Sequence, residues 1–189
     1  MDKRTLRREN FARIKALSKR ERSAASRKIV AHLEELGLFQ AAQVAFSFVA
    51  MSSEPDLDPL RSRFPEKKWG LSRVADDGEN LFFHRVTPSQ PLVMSPFGFS
   101  EPDPTVSPVI TGSDIVLVPG VGFDPNSRVR LGRGKGHYDR YLGPLVSSAK
   151  APTLIGICFA TQLRELTAES HDVPMDLILT ENGFSPGAT

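Results

Sequence analysis

One cysteine, one tryptophan and no apolar run near the roughly 20 residues of a membrane span set the first limits on this 189-residue chain. A lone Cys158 cannot close an internal disulfide. It stands in an apolar run, as a small core residue would, which fits a reducing compartment. The N-terminus is charged and lacks the apolar core of a secretory leader, so a cytoplasmic protein without membrane contact is expected. Nor is there a linker or an internal repeat. The expectation is one domain over residues 1–189, with helices at 1–37 packed on it and a frayed end at 185–189.

Net charge is also scarce, at +2, but it is unevenly spread: residues 1–28 carry eleven Lys and Arg against Asp2, Glu9 and Glu21. A nucleic-acid-binding helix has this composition, and so does a solvated helix whose cations reach one anionic ligand. Here the cations point several ways around the helix, which favours the solvated face, and no nucleic-acid partner is expected.

Periodicity organises the remainder. Leu6, Ile14 and Leu17, with Phe11 alongside, mark a first helix from about Lys3. Ser18 to Glu21 reads as a capping box opening a second, with the stripe Ala25, Ile29, Leu33, Leu36 and Gly37 as its terminator. Two helices therefore precede any strand. Strands are expected at 43–50, 68–74, 81–86, 114–118, 153–159 and 176–180, with a short helix to about Arg63 and another over 137–148. The six prolines between Pro88 and Pro108 predict an irregular loop. Strands alternating with helices, and late strands apolar throughout, predict a three-layer, Rossmann-like α/β domain with a mainly parallel sheet. Ligands then belong at the C-terminal strand ends, where the Glu54 turn, the segment after Phe159 and a glycine-rich loop converge.

That loop, Gly120 to Asp139, interleaves Gly132, Gly134 and Gly136 with Arg130, Arg133 and Lys135, between a strand and a helix start. Glycine lets backbone N–H groups approach an anion, and the helix end adds partial positive charge. A flexible surface turn could have the same composition. The spacing is neither a Walker A sequence nor a dinucleotide fingerprint. Asp139 either stabilises the helix N-terminus or, with Asp172 before the last strand, holds Mg²⁺ beside phosphates. His171 has no zinc-ligand spacing and reads as a surface residue. Lys3 and Arg7 share a helical face and could reach one polyphosphate. Glu54 is an exposed turn acid or a hydrogen-bond acceptor for a ligand, and Phe97 a core residue or a stacking surface.

Taken together these residues resemble the 5-formyltetrahydrofolate cyclo-ligase (methenyltetrahydrofolate synthetase) family. The likeness runs through Lys3-x-x-Leu6-Arg7, Leu17-Ser18, Glu54, the segments 97–102 and 118–124, Arg130 to Leu142, and His171-Asp172. It implies ATP- and Mg²⁺-dependent closure of 5-formyltetrahydrofolate, with or without a polyglutamate tail, to 5,10-methenyltetrahydrofolate, and a monomer is expected. It also implies that Lys3, Arg7 and the run Arg130, Leu131, Gly132, Arg133, Gly134, Lys135, Gly136, His137, Tyr138 contact ATP. Asp139 and Asp172 would hold Mg²⁺; Val49, Glu54, Phe97 and residues 133–137 would meet the folate; Arg133 and Lys135 would be catalytic. Two positions depart from the family pattern: His137 stands where Tyr is usual, and the segment before Arg130 is one residue longer. A sugar-phosphate isomerase-like or regulatory phosphate-binding protein would use the same loop without needing Asp139 and Asp172.

Overall fold

The computed structural model describes residues 2–87, 90–95 and 98–185. Helix α1 (Lys3–Ala16) starts where the Asp2 carboxylate accepts from the amides of Arg4 and Thr5. Helix α2 (Lys19–Glu35) opens on the expected box, Ser18 and Glu21 each taking the other's backbone N–H. It ends on an extended Leu36, and Gly37 then begins a further short helix, α3 (Gly37–Ala41). Gly37 is therefore not a left-handed terminator, and three helices precede the first strand. Phe39 explains the difference: it is fully buried, so the chain turns back to insert it.

A seven-stranded sheet follows, in the order β11–β10–β9–β6–β1–β2–β3. Its parallel centre is β1 (Val44–Ser47), β2 (Lys68–Val74), β6 (Ile115–Pro119), β9 (Thr153–Ile157) and β10 (Leu177–Thr180). β3 (Leu81–Val86) and β11 (Gly183–Phe184) add antiparallel edges. Side chains alternate across it as a doubly covered sheet requires. Ala45, Ile115, Leu117, Ile155 and Leu179 face α2, α3 and α4 (Pro59–Arg63). Phe46, Val116, Val118, Leu154 and Ile178 face α5 (His137–Val146). No helix among the described residues is long and apolar enough to cross a membrane.

Other differences from the sequence reading concern short pairings. β1 stops at Ser47 because the chain bends into the turn closed by Glu54 N–H on Met51 C=O, 2.9 Å. The proline-rich stretch contains a hairpin, β4 (Leu92–Met94) with β5 (Ser100–Pro102). The glycine-rich stretch begins as another, β7 (Gly122–Phe123) with β8 (Arg130–Leu131). The fraying expected of the C-terminus concerns residues 186–189, outside the described ones; Ser185 still donates its amide to Ile178.

Candidate active site

α1 reaches the sheet edge through one buried polar residue. Asn10 is fully buried; its Nδ2 donates to the carbonyls of Val121 (3.0 Å) and Gln162 (3.3 Å), and its Oδ1 accepts from Arg164 (3.0 Å). Only glycine fits opposite it, since a Cβ at Gly122 would lie 2.4 Å from Asn10 Nδ2. This dock brings the start of α1 over the glycine-rich loop. Arg7 Nε then donates to Gly132 C=O at 2.7 Å, and Lys3 Nζ pairs with Asp172 and Glu169, each at 3.1 Å. Burial alone would lower the Lys3 pKa, but hydrogen bonds to Glu169 and Asp172 outweigh it and raise the value.

The loop itself separates two cavities. One, of about 130 Å³, is bordered by Val49, Glu54, Phe99, Arg133, Lys135, His137 and Tyr138. The other, of about 160 Å³, is bordered by Lys3, Arg7, Leu131, Gly134, Asp139, His171 and Asp172. Arg130, Gly132 and Gly136 line both, so they form the shared wall. Gly134 (φ 101°) and Gly136 (φ 68°) lie in the left-handed region that lets this wall turn sharply into α5.

Around the first cavity, Arg133 Nη2 donates to Ser53 Oγ (2.9 Å) and Glu54 Oε1 (3.1 Å), while its guanidinium sits 5.3 Å from the Phe11 ring. The other Glu54 oxygen accepts from Met51 N–H at 3.0 Å. The Tyr138 hydroxyl donates to Ser72 Oγ at 3.1 Å, and burial pushes its phenol up. Lys135 is exposed, and its ammonium makes no hydrogen bond or ion pair among the described residues. Around the second cavity, buried Arg130 reaches Asp139 Oδ2 at 2.8 Å and lies 5.2 Å over the Tyr138 ring. Glu169, His171 and Asp172 present ligand atoms within 4.8 Å of one another. Asp139 and Asp172, far apart in sequence, border the same cavity as Lys3, Arg7 and Arg130, and their carboxylate oxygens are of the kind Mg²⁺ takes.

The chain that builds this two-sided site is matched over residues 1–181 by one family model, that of the 5-formyltetrahydrofolate cyclo-ligase family. The chain belongs to the 5-formyltetrahydrofolate cyclo-ligase family. It is 29% identical to the mouse cyclo-ligase, over 95% of this chain and 94% of that one. It is 33% identical to the Saccharomyces cerevisiae cyclo-ligase over a shorter stretch, 57% of this chain and 54% of that protein. Among solved structures, the Aquifex aeolicus 5,10-methenyltetrahydrofolate synthetase superposes with a TM-score of 0.82 at 29% identity, covering 97% of this chain and 92% of that one.

Within this cyclo-ligase family fold, the sequence-derived residues Lys3, Arg7, Val49, Glu54, Arg130 to Tyr138, Asp139 and Asp172 all border one of the two cavities. Phe97 lies outside the described residues. Arg130 and Leu131 are not part of a flexible loop as expected, but buried residues of β8, because that hairpin seats Leu131 against Leu6 and Leu166. His171 is exposed as expected and lies beside Glu169 Oε2 at 3.3 Å. Sequence reasoning missed Asn10 and Gln162. Asn10 interrupts an apolar stripe at a helical step from Leu6 and Ile14, and that was the available signal.

Proposed function

We propose that this chain closes 5-formyltetrahydrofolate to 5,10-methenyltetrahydrofolate at the expense of ATP, with the nucleotide on one side of the glycine wall and the folate on the other. Family membership carries the coarser part, an enzyme of the cyclo-ligase class. The observation that favours the finer reading is the shared wall. Arg130, Gly132 and Gly136 line both cavities, so a phosphoryl group need cross only the width of one loop.

A formamide carbon is a poor electrophile, and its oxygen a poor leaving group. Attack of the formyl oxygen on the γ-phosphorus breaks the bond to ADP and gives a phosphorylated imidate. The N10 lone pair then adds to that carbon. The C–O bond breaks, its electron pair leaves with phosphate, and N10 loses its proton. Neither step needs a protein nucleophile; both need positioning and charge neutralisation.

Lys3 and Arg7 supply cations to the phosphate side, and Lys135, whose ammonium has no partner among the described residues, is available to the moving group. Arg133, held by Glu54 and Ser53, supplies fixed charge on the folate side. The carboxylates of Asp139 and Asp172 would hold Mg²⁺, which neutralises phosphate charge when bound. Beside the phosphate side lies a cavity of about 380 Å³ with Leu6, Val129, Leu131 and Leu166 on its apolar side and Asp2, Thr167 and Glu169 on its polar side, which would give a base both a surface and hydrogen-bond partners. A larger cavity of about 740 Å³ continues from Val49 and Glu54 past Lys19, Arg22 and Arg27, which favours a carboxylate-bearing, glutamylated tail. We propose a cytoplasmic monomer; the buried, unpaired thiol of Cys158 is compatible with a reducing compartment.

Mixing the protein with 5-formyltetrahydrofolate, ATP and Mg²⁺ should give a near-UV absorbance rise from the methenyl product. No ATP-dependent rise would reject this function.

A further inference from the structure

Three glycines among residues 132–136 leave the wall with little side-chain packing of its own, and such a segment loses more chain entropy on ordering than an ordinary one. Its first half is tied by Arg7 and Arg133, as described. The second half, Lys135 and Gly136, precedes a helix whose N-cap glycine has no side chain to cap it. Something else must hold Lys135 in place.

The β2–β3 turn supplies the anchor. Asp77 Oδ1 accepts from the amides of Glu79 (2.8 Å) and Asn80 (3.0 Å), while Asn80 Nδ2 donates to Asp77 Oδ2 at 2.7 Å. Gly78 N–H closes on Ala75 C=O at 2.9 Å, and Ala75 N–H on Asn80 C=O at 2.8 Å. These bonds stiffen the turn and leave the carbonyls of Gly78 and Glu79 available to α5. His137 Nε2 meets Gly78 C=O at 2.9 Å. One helical turn on, Arg140 spans the gap: one amino group donates to Glu79 C=O at 2.5 Å, the other to Lys135 C=O at 2.8 Å.

We propose that Arg140 is a positioning residue for the phosphoryl-transfer loop: its planar guanidinium clamps the Lys135 backbone to the β2–β3 turn and so fixes where the Lys135 ammonium acts. The inference rests on the function proposed above, in which Lys135 neutralises the moving phosphate. Arg140 is exposed and touches two carbonyls of surface segments, so its loss costs the fold little. A catalytic cation that can wander by an ångström costs far more in rate. The guanidinium bridges two acceptors in a fixed plane; an ammonium cannot.

Arg140→Ala should lower kcat roughly tenfold with KM for both substrates within about twofold, and leave the melting temperature within about 2 °C. Arg140→Lys should recover only a minor part of the rate. The deciding measurement is a double-mutant cycle with Lys135→Ala. If Arg140 acts through Lys135, Arg140→Ala costs less than about twofold in the Lys135→Ala background. Equal losses in both backgrounds, or full rescue by Arg140→Lys, would overturn the clamp while leaving the function intact. A wild-type protein without ATP-dependent ring closure would instead defeat the function, and the clamp with it.

Discussion

Replacing Asn10 by alanine tests how α1 is attached to the site. The substitution deletes two buried donated hydrogen bonds and a part-buried one accepted from a charged guanidinium. Part of the damage is absorbed, because Val121 C=O keeps its bond from Gln162 Nε2 (3.0 Å) and Arg164 keeps Glu9 (3.0 Å). At about 1 kcal/mol net per lost bond, the cost is about 2–3 kcal/mol. For a chain of this size that lowers the melting temperature by roughly 5–10 °C. Loosening α1 also frees Lys3 and Arg7, so KM for ATP should rise about three- to tenfold while KM for the folate changes less than about twofold. Gly122→Ala should imitate this loss, since its Cβ would expel the Asn10 amide. Once Asn10 is alanine the new methyl has only Gln162 C=O as a tight neighbour, at 3.3 Å, so the double variant should be no less stable than the worse single one. Thermal melts of the four proteins with initial rates against each substrate check the chain of reasoning. Costs that simply add, or KM values that rise equally for both substrates, would refute it.

Lys135→Ala should cut kcat by roughly 10²–10³-fold with an unchanged melting curve, as loss of a preorganised charge at a transferring group does; near-wild-type turnover removes Lys135 from the chemistry. Asp139→Asn should move the Mg²⁺ titration of activity up roughly tenfold, the worth of about one charge-assisted contact. An unmoved titration would take it out of the metal site. Asp124 makes a pH prediction. Burial raises its carboxyl, but the amides of Leu166, Asn126 and Ser127 outweigh this and hold it below its ordinary 3.8. A depressed folded pKa gives stability that is present above the ordinary value and lost as pH falls through the folded one. Asp124→Ala should therefore cost about 2–3 kcal/mol at pH 7 and less in acid. Denaturant melts showing a cost that grows from pH 7 to pH 3 would contradict that sign.

Elements fixed by local patterning were legible before any coordinates. The capping box of α2, the β2 and β3 strands and the strand–loop–helix order around the glycines all lie where the residues put them. That Asp139 and Asp172 would come to one cavity was legible too, because a resemblance carried it across the intervening chain. What escaped depends on contacts between distant segments. β7 and β8 are two residues each and exist only as partners, so no periodicity could announce them. β4 and β5 are similar, hidden among prolines that read as a loop. Asn10 looked like one more polar residue on a cationic helix, and its burial follows from Gln162 and Val121, more than a hundred positions away. Arg140 stood inside the recognised block, yet its partner is a turn some sixty residues earlier that seemed a mere connection.

The second cavity carries a further consequence in its charges. Lys3, Arg7 and Arg130 face Asp139, Glu169 and Asp172, three cations against three carboxylates, and the ion pairs among them already bring opposite signs together. Such a chamber has almost no net field at its mouth. A polyphosphate arriving with its own divalent ion need only exchange counter-ions with the walls, so its encounter rate should depend little on ionic strength. A bare tetra-anion would find Lys3 and Arg130 already paired with carboxylates. Near-neutrality of the walls thus discriminates by the visitor's charge balance, before any group on it is recognised.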